Sequence, residues 1–338
     1  MRLIKIFSNL FVLMIAFNSY SQTAKIQLLQ SGNGVSLRGL SIVNDQIIWA
    51  SGNKGSVARS TNGGKDFEWI KVAGYEKRDF RDIEAFDQNT ALIMGVDAPA
   101  IILKTIDGGK TWKKVLEDST KGMFLDAMDF SDNKKGVVIG DPINQKIYMA
   151  FTNDQGNSWN KTSNDLLSEA LIAKDGEAFF ASSGTNIHLL GNHIVFISGG
   201  KSSRLFYSNK WYEIPLLQGK ESTGANSIAI NKHQGVIVGG DFSKDTISSG
   251  NCVLLSFEKN KVNITLAEVA PHGYRSCVTY ISENVLVSCG TSGVDVSKDG
   301  GKNWELISKE SFHVVQKAKK AGAVFLAGSN GKIALLSF

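Results

Sequence analysis

Only 3 cysteines, Cys252, Cys277 and Cys289, occur in the 338 residues. So small and odd a number excludes the dense disulfide framework on which small exported domains depend. Prolines number only 4 against 34 glycines, which excludes a Pro-rich stalk or linker. Charge of one sign is not in large excess. The net charge is +5, or +3 once Arg2 and Lys5 are set aside, and no nucleic-acid footprint follows from it. Beyond the N-terminal segment no apolar run is long enough to span a bilayer. The Cys/His spacing of a metal site, a Gly-x-Ser-x-Gly elbow and a dinucleotide fingerprint in a β-α-β setting are all missing. Neither a metal nor any other cofactor is therefore expected. His188, His193, His233, His272 and His313 are scattered and read as packed or solvated side chains.

What is present is an ordinary globular balance, 42% hydrophobic and 20% charged. Arg2 and Lys5 precede an apolar run, Ile6–Phe17, and Ser19-Tyr20-Ser21 supplies small residues before Gln22. This order predicts a signal peptide over residues 1–21 and export to the periplasm or the medium, with no membrane span in the remainder. Cys277 and Cys289 flank a hairpin turn at Ser282-Glu283-Asn284. They are expected to be neighbouring buried thiols, because directly opposed sheet positions strain a disulfide. A redox role would rest on these two residues alone.

One short pattern recurs. Thr105-x-Asp107-x-Gly109-x-x-Trp112 matches Thr152-x-Asp154-x-Gly156-x-x-Trp159 and Ser297-x-Asp299-x-Gly301-x-x-Trp304, with a weaker copy at Ser60-x-Asn62-x-Gly64-x-x-Phe67. Each follows a β-rich run. The Asp or Asn side chain can accept amides of its own turn, and the Gly takes a positive φ. The hydroxyl ties the incoming strand to the turn, and the aromatic residue is expected on the outgoing strand in an apolar slot. One carboxylate per turn is too few hard oxygen ligands for calcium, so the role read here is structural.

From Phe67 to Trp112 and on to Trp159 the spacing is 45 and 47 residues. A period in the forties with four short strands per unit predicts an all-β propeller. Blades fall at about 37–72, 80–117, 123–163, 177–217, 224–269 and 273–308. The last segment, 312–338, has three strands, and Lys25–Gln30 is the spare fourth. The prediction is a single domain over 22–338: seven four-stranded antiparallel blades, the last closed by the N-terminal strand, so that no gap is left between the chain ends.

The pattern S/T-x-D-x-G-x-x-W resembles the Asp-box, or bacterial neuraminidase repeat, of sialidase-like propellers. The lines "IIWASGNKGSVARSTNGG" (Ile47–Gly64) and "ALIMGVDAPAIILKTIDGGKTW" (Ala91–Trp112) also make the whole chain similar to the propeller family of photosystem II stability and assembly factors. The resemblance implies the fold. For function it implies a non-catalytic assembly or binding role, or, through the sialidase-like turns, action on glycans.

In such a ring the loops before the innermost strands and those between second and third strands share one face. Arg38, Arg81 with Asp82, Asp126, Asn186, Asn226 and Arg275 stand at the starts of inner strands, around the central channel. Asp141, Lys201, Arg204 and Asp241 lie in the second-to-third-strand loops and are expected farther out on that face. Two readings stand side by side. Arg–Asp pairs can neutralise one another and hold blades in register, or guanidiniums with spare donors can take a carboxylate or phosphate.

The first functional expectation is a monomeric, non-catalytic propeller that binds a protein segment or another carboxylate-bearing ligand at this face. The second is a glycoside hydrolase. The sialidase resemblance implies an arginine triad, for which Arg38, Arg81 and Arg275 are the candidates, a Tyr nucleophile at Tyr274, and an acid at Asp82, Asp126 or Asp141. However, Tyr274 and Arg275 are adjacent and point to opposite faces of a regular strand. The Arg-Ile-Pro segment of sialidases is also missing after Arg38 and Arg81. For a two-carboxylate hydrolase the candidates are Asp82, Glu84 and Asp126.

Overall fold

The computed structural model describes residues 24–161, 170–191, 193–258 and 261–338. The expected signal peptide lies outside them. Seven antiparallel sheets follow one another along the chain, each meandering from an inner to an outer strand. Their inner regions touch in sequence, and the first and last blades touch as well, so the ring closes.

Blade one is Leu37–Ile42, Ile48–Gly52, Ser56–Ser60 and Glu68–Lys71. Blade two runs from Phe80–Ala85 to Lys113–Asp118, and blade three from Leu125–Phe130 to Asn160–Lys161. Blade four runs from Ile187–Leu190 to Lys210–Glu213, and blade five from Thr223–Asn231 to Lys261–Leu266. Blade six spans Cys277–Tyr280 to Glu305–Ser308. Blade seven takes Val314–Lys317, Val324–Ala327 and Ile333–Ser337 from the C-terminus, and its outer strand is Lys25–Gln30. Lys25 pairs with Ser337 and Leu28 with Ala334, with a bulge before Gln30. The expected closure is present.

Burial explains which segments become middle strands. Ile48–Gly52, Ala91–Gly95 and Leu286–Gly290 are buried along their whole length, because each sheet packs between two neighbours. A strand covered on both faces reads as an unbroken run of apolar and small residues. Outer strands such as Lys113–Asp118 meet solvent and carry the charges. Fully buried Trp49, Phe196 and Phe325 fill the seams between blades, each contributing about 1.5–3 kcal/mol by leaving water.

Blade four departs from expectation. Its inner strand starts at Ile187, and Glu177–Ala178 belongs elsewhere: it pairs with Gly199–Gly200, which pairs in turn with the inner strand of blade five. The stretch between, Phe179–Asn186, enters the channel. Ser183 Oγ donates to the Ser276 carbonyl at 2.7 Å, and Thr185 Oγ1 donates to Ser227 Oγ at 2.7 Å. The stretch thus forms a polar plug across the ring.

The four recurrent turns close as their chemistry requires. Thr105 Oγ1 donates to Asp107 Oδ1 at 2.9 Å and accepts the Gly109 amide at 2.9 Å. Asp107 accepts the Thr111 amide and hydroxyl. The same bonds recur at Asp154 and Asp299, and Asn62 substitutes for the carboxylate by accepting the Asp66 amide at 3.1 Å. Trp112, Trp159 and Trp304 sit one residue before the outer strand rather than on it. Trp112 and Trp304 each donate their indole N–H to the carbonyl of the turn's glycine. Turn amides donate to first-to-second-strand loops, Gly63 to Gln46 and Gly108 to Asn89. The turns therefore lie on the face opposite the inner-strand starts. Cys277 and Cys289 are directly paired in blade six as free buried thiols. Among the described residues no helix is long and apolar enough to cross a membrane.

Candidate functional site

The inner strands begin with a repeated irregularity. Between Leu37 and Gly39 the pairing of blade one slips by one residue, and so it does between Phe80 and Asp82, Leu125 and Ala127, and Ala225 and Ser227. The extra residues are Arg38, Arg81, Asp126 and Asn226. A bulge re-aims the side chain that it leaves unpaired. Here the same device works in four blades, at the mouth of one channel.

Blade six shows the register through its backbone. A Cβ on Gly52, Gly140 or Gly239 would strike the carbonyl of Ser36, Phe124 or Gly224, two residues before Arg38, Asp126 and Asn226. The matching carbonyl against Gly290 is that of Tyr274, so the residue matching Arg38 is Ser276. In blade seven Gly328 lies against Ser311 and Phe312, which makes His313 the counterpart. Arg275 is thus one position out of register with Arg38. It occupies the inward position of Leu37 and Leu125, and like them it is fully buried.

A cavity of about 440 Å³ opens at this mouth. The ring positions Arg38, Arg81, Asn226, Ser276 and His313 line it, with Ser182 of the plug, Thr291 and the rings of Phe124, Phe179, Phe180, Phe242 and Tyr274. Phe124 and Tyr274 share one place in the repeat, two residues before the ring positions Asp126 and Ser276. Asp79 holds that place in blade two, where it accepts Arg81 Nε at 2.8 Å. The Arg81 guanidinium lies 5.7 Å from the Phe124 ring centroid.

The electrostatics favour an anion. Arg38 Nη1 donates to the Ser182 carbonyl at 3.4 Å, and among the described residues no carboxylate pairs with it. Burial, then Arg81, pulls its pKa below the usual value, yet a guanidinium stays charged. His313 is pushed down to about 4 by burial and by Arg38, so it is neutral at pH 7. Its Nδ1 contacts the Leu37 carbonyl at 2.9 Å and its Nε2 contacts Ser329 Oγ at 3.1 Å. Burial holds Tyr274 up at about 12, and its hydroxyl donates to Asn226 Oδ1 at 2.8 Å.

The other expected site residues lie elsewhere. Asp126 is fully buried beside the ring, facing the amides of Ala181 and Asp141 but meeting hydrogen-bond geometry with neither. Burial and then Asp141 drive its pKa well above the usual carboxyl value. Asp141 accepts the Phe179 amide at 2.9 Å and is raised by burial. Asp141 thereby braces the start of the plug. Asp82 accepts the Ile83 and Met128 amides at 2.8 and 2.7 Å, which ties blade two to blade three. Burial raises its pKa well above the usual value. Glu84 pairs with Lys319, near Asp129, deeper along the same inner strand. Asp82 and Asp126 are thus buried and Glu84 is paired, and none of the three lines the cavity at the mouth.

Arg275 is locked rather than available. Its Nε donates to Asp295 Oδ2 at 2.6 Å, Nη2 donates to the same oxygen, and Nη1 donates to the Tyr274 carbonyl and Ser292 Oγ, both at 2.8 Å. Arg204 is likewise consumed. It makes a bidentate pair with Glu177, reaches the Ile172 carbonyl and stacks 3.7 Å from the Trp211 centroid, because it opens a third strand and points into the blade. Lys201 reaches Asp175 at 4.0 Å on the surface. Asn186 is buried, donating to the Phe180 carbonyl at 3.3 Å. Asp241 accepts the Ser243 amide and hydroxyl at 2.9 and 2.6 Å and shapes the loop that carries Phe242.

No family model matches the chain, and no curated protein matches it in sequence. Solved structures match over almost its whole length. "YCF48 bound to D1 peptide" has a TM-score of 0.61 at 15% identity, covering 93% of this chain and 97% of that one. YCF48 from Cyanidioschyzon merolae gives 0.58 at 16%, covering 92% and 98%. The GH74 xyloglucanase from Xanthomonas campestris gives 0.57 at 13%, covering 92% of this chain and 53% of its own. At such identities the likeness establishes the propeller fold, and one fold hosts many functions.

Proposed function

We propose that this chain is an exported, non-catalytic propeller that binds a protein segment through a carboxylate at the channel mouth. The observation that carries this reading is Arg38. Its guanidinium is held at the mouth by one long bond to a backbone carbonyl and keeps donors free for a bidentate acceptor. Arg81 adds a second cation whose charge Asp79 balances, so the cavity keeps a surplus of positive charge. Aromatic walls supply apolar contact around that charge. The resemblance of the sequence to assembly factors, and a peptide-bound YCF48 among the similar structures, support a peptide as the ligand. The burial of Asp82 and Asp126 and the pairing of Glu84 with Lys319 give the glycoside-hydrolase reading no comparable support.

The test is selection from a library of random octapeptides with free C-termini, run beside the same library amidated and including sequences rich in Asp and Glu. The wild-type protein should retain carboxylate-bearing peptides, and Arg38→Gln should lose at least about tenfold in retention, the scale of a lost charge-assisted contact. Equal retention by both proteins removes the proposal.

A further inference from the structure

We infer that the cavity reads a chain terminus: a free C-terminal carboxylate whose last residue carries a bulky apolar side chain. This rests on the reading of the cavity as a carboxylate site and adds three observations to it.

The first is that the channel is plugged. Ser182 and Ser183 bond across to blade six, with Ser183 Oγ donating to the Ser276 carbonyl at 2.7 Å. Gly184 of the plug, at φ +68, lies so close to Asp82 that a Cβ would meet its carboxyl oxygen at 2.3 Å. A segment entering the mouth cannot pass through the ring. About 440 Å³ lies within the range of small-ligand pockets, which suits a chain end rather than a passing strand or a folded domain.

The second observation is the aromatic wall of the cavity. Phe180 packs edge-on against Phe242 with centroids 5.9 Å apart, and Phe242 packs edge-on against Tyr274 at 6.3 Å. Phe242 is 50% exposed. The loop beneath it is held by Asp241, itself only 2% exposed, through the Ser243 amide and hydroxyl. A buried carboxylate thus fixes an exposed phenyl ring over the cavity, and such fixing lowers the ordering cost of binding.

The third is the sign of the charge. Aromatic rings around a cavity can also hold an organic cation, but Arg38 and Arg81 repel one. A ligand with an apolar body and one negative end satisfies both walls. The carboxylate sits on Arg38, and the last side chain covers Phe242 and Tyr274.

The experiment is calorimetric titration of the full mature chain with three probes: acetyl-Gly-Gly-Phe, acetyl-Gly-Gly-Ala and acetyl-Gly-Gly-Phe-amide. The Phe acid should bind about tenfold or more tightly than the Ala acid, from the apolar area it buries, and the amide should lose at least as much. Phe242→Ser, at a half-exposed loop tip, should fold normally. It should bring the Phe and Ala acids within about twofold of each other while preserving the preference for acid over amide. Equal binding of the two acids, with the amide still weak, overturns this inference and leaves the carboxylate reading intact. Equal binding of acid and amide overturns the carboxylate reading itself. A Phe preference that survives Phe242→Ser overturns the assignment of the wall, and no binding of any probe at millimolar concentration overturns both.

Discussion

Arg38 of blade one donates to the backbone carbonyl of Ser182, which lies in the plug before blade four, at 3.4 Å. The bond crosses the channel, is long, and leaves the rest of the guanidinium without an ionic partner. Such a side chain contributes little to folding and is free to serve a ligand. Arg38→Gln is therefore expected to change unfolding free energy by less than about 1 kcal/mol, measured by urea denaturation, while it weakens carboxylate binding by about tenfold or more. A loss of several kcal/mol would assign Arg38 to the scaffold.

Arg275 should behave in the opposite way. It is fully buried against Asp295, also fully buried. Removing Arg275 leaves the buried Asp295 carboxylate with His272 as its remaining partner, at a cost of up to about 3–5 kcal/mol. Arg275→Met should therefore lower the urea midpoint sharply and leave peptide affinity per folded molecule unchanged. An Arg275 variant of normal stability that fails to bind peptide would contradict this assignment.

The closure of the turns was legible in the sequence because its hydrogen bonds are local, whereas the tryptophan expected on the outer strand stands one residue before it. Asx closure by Asp107, Asp154 and Asp299, and its imitation by Asn62, needs no information from other blades. Closure by Lys25–Gln30 was legible for the same kind of reason: a three-stranded remainder requires a fourth strand. The site was legible only in part. Arg38 and Arg81 stand at bulges and reach the cavity. Arg275 looks equivalent in the sequence, but a one-residue register difference turns its side chain away, and Ser276 takes its place. Phe124 and Tyr274 became recognisable as one repeated wall position only when the backbone contacts of Gly140 and Gly290 fixed the register, and Asp79 holds the same place in blade two by its distance from the Arg81 bulge. Phe179, Phe180 and Ser182 lie in an insertion that follows no repeat.

The turns also predict an acid response. Thr111 donates its hydroxyl and amide to Asp107 and holds that carboxyl at about 2, below its usual 3.8. A depressed folded-state pKa contributes stability that is present above about pH 4 and is lost as pH falls toward 2. Asp107→Asn, which reproduces the chemistry of blade one, should flatten the fall in thermal midpoint between pH 4 and pH 2. An unaltered slope would show that this turn does not titrate with folding. Thr105→Val should cost about 1–2 kcal/mol at neutral pH by leaving the Gly109 amide unsatisfied, measured by urea denaturation.

Asp126 predicts the reverse trend. Burial raises the pKa of its carboxyl well above the usual 3.8 in the folded chain, whereas an unfolded chain ionises it above that value. Folding must then take up a proton, so this group reduces stability progressively as pH rises above about 4. Asp126→Asn has no proton to take up. Its urea midpoint should fall less than that of the wild type between pH 5 and pH 8. Parallel curves would mean that Asp126 is ionised in the folded state.

The most direct test of the central claim is the side-chain Nε–H NMR spectrum of the arginines during titration with acetyl-Gly-Gly-Phe. Signals of Arg38 and Arg81 should shift together and saturably, while those of Arg204 and Arg275 stay fixed. A saturable shift confined to Arg204 or Arg275, or a titration that leaves Arg38 unmoved while the peptide binds, would contradict a ligand site built from the bulged starts of the inner strands.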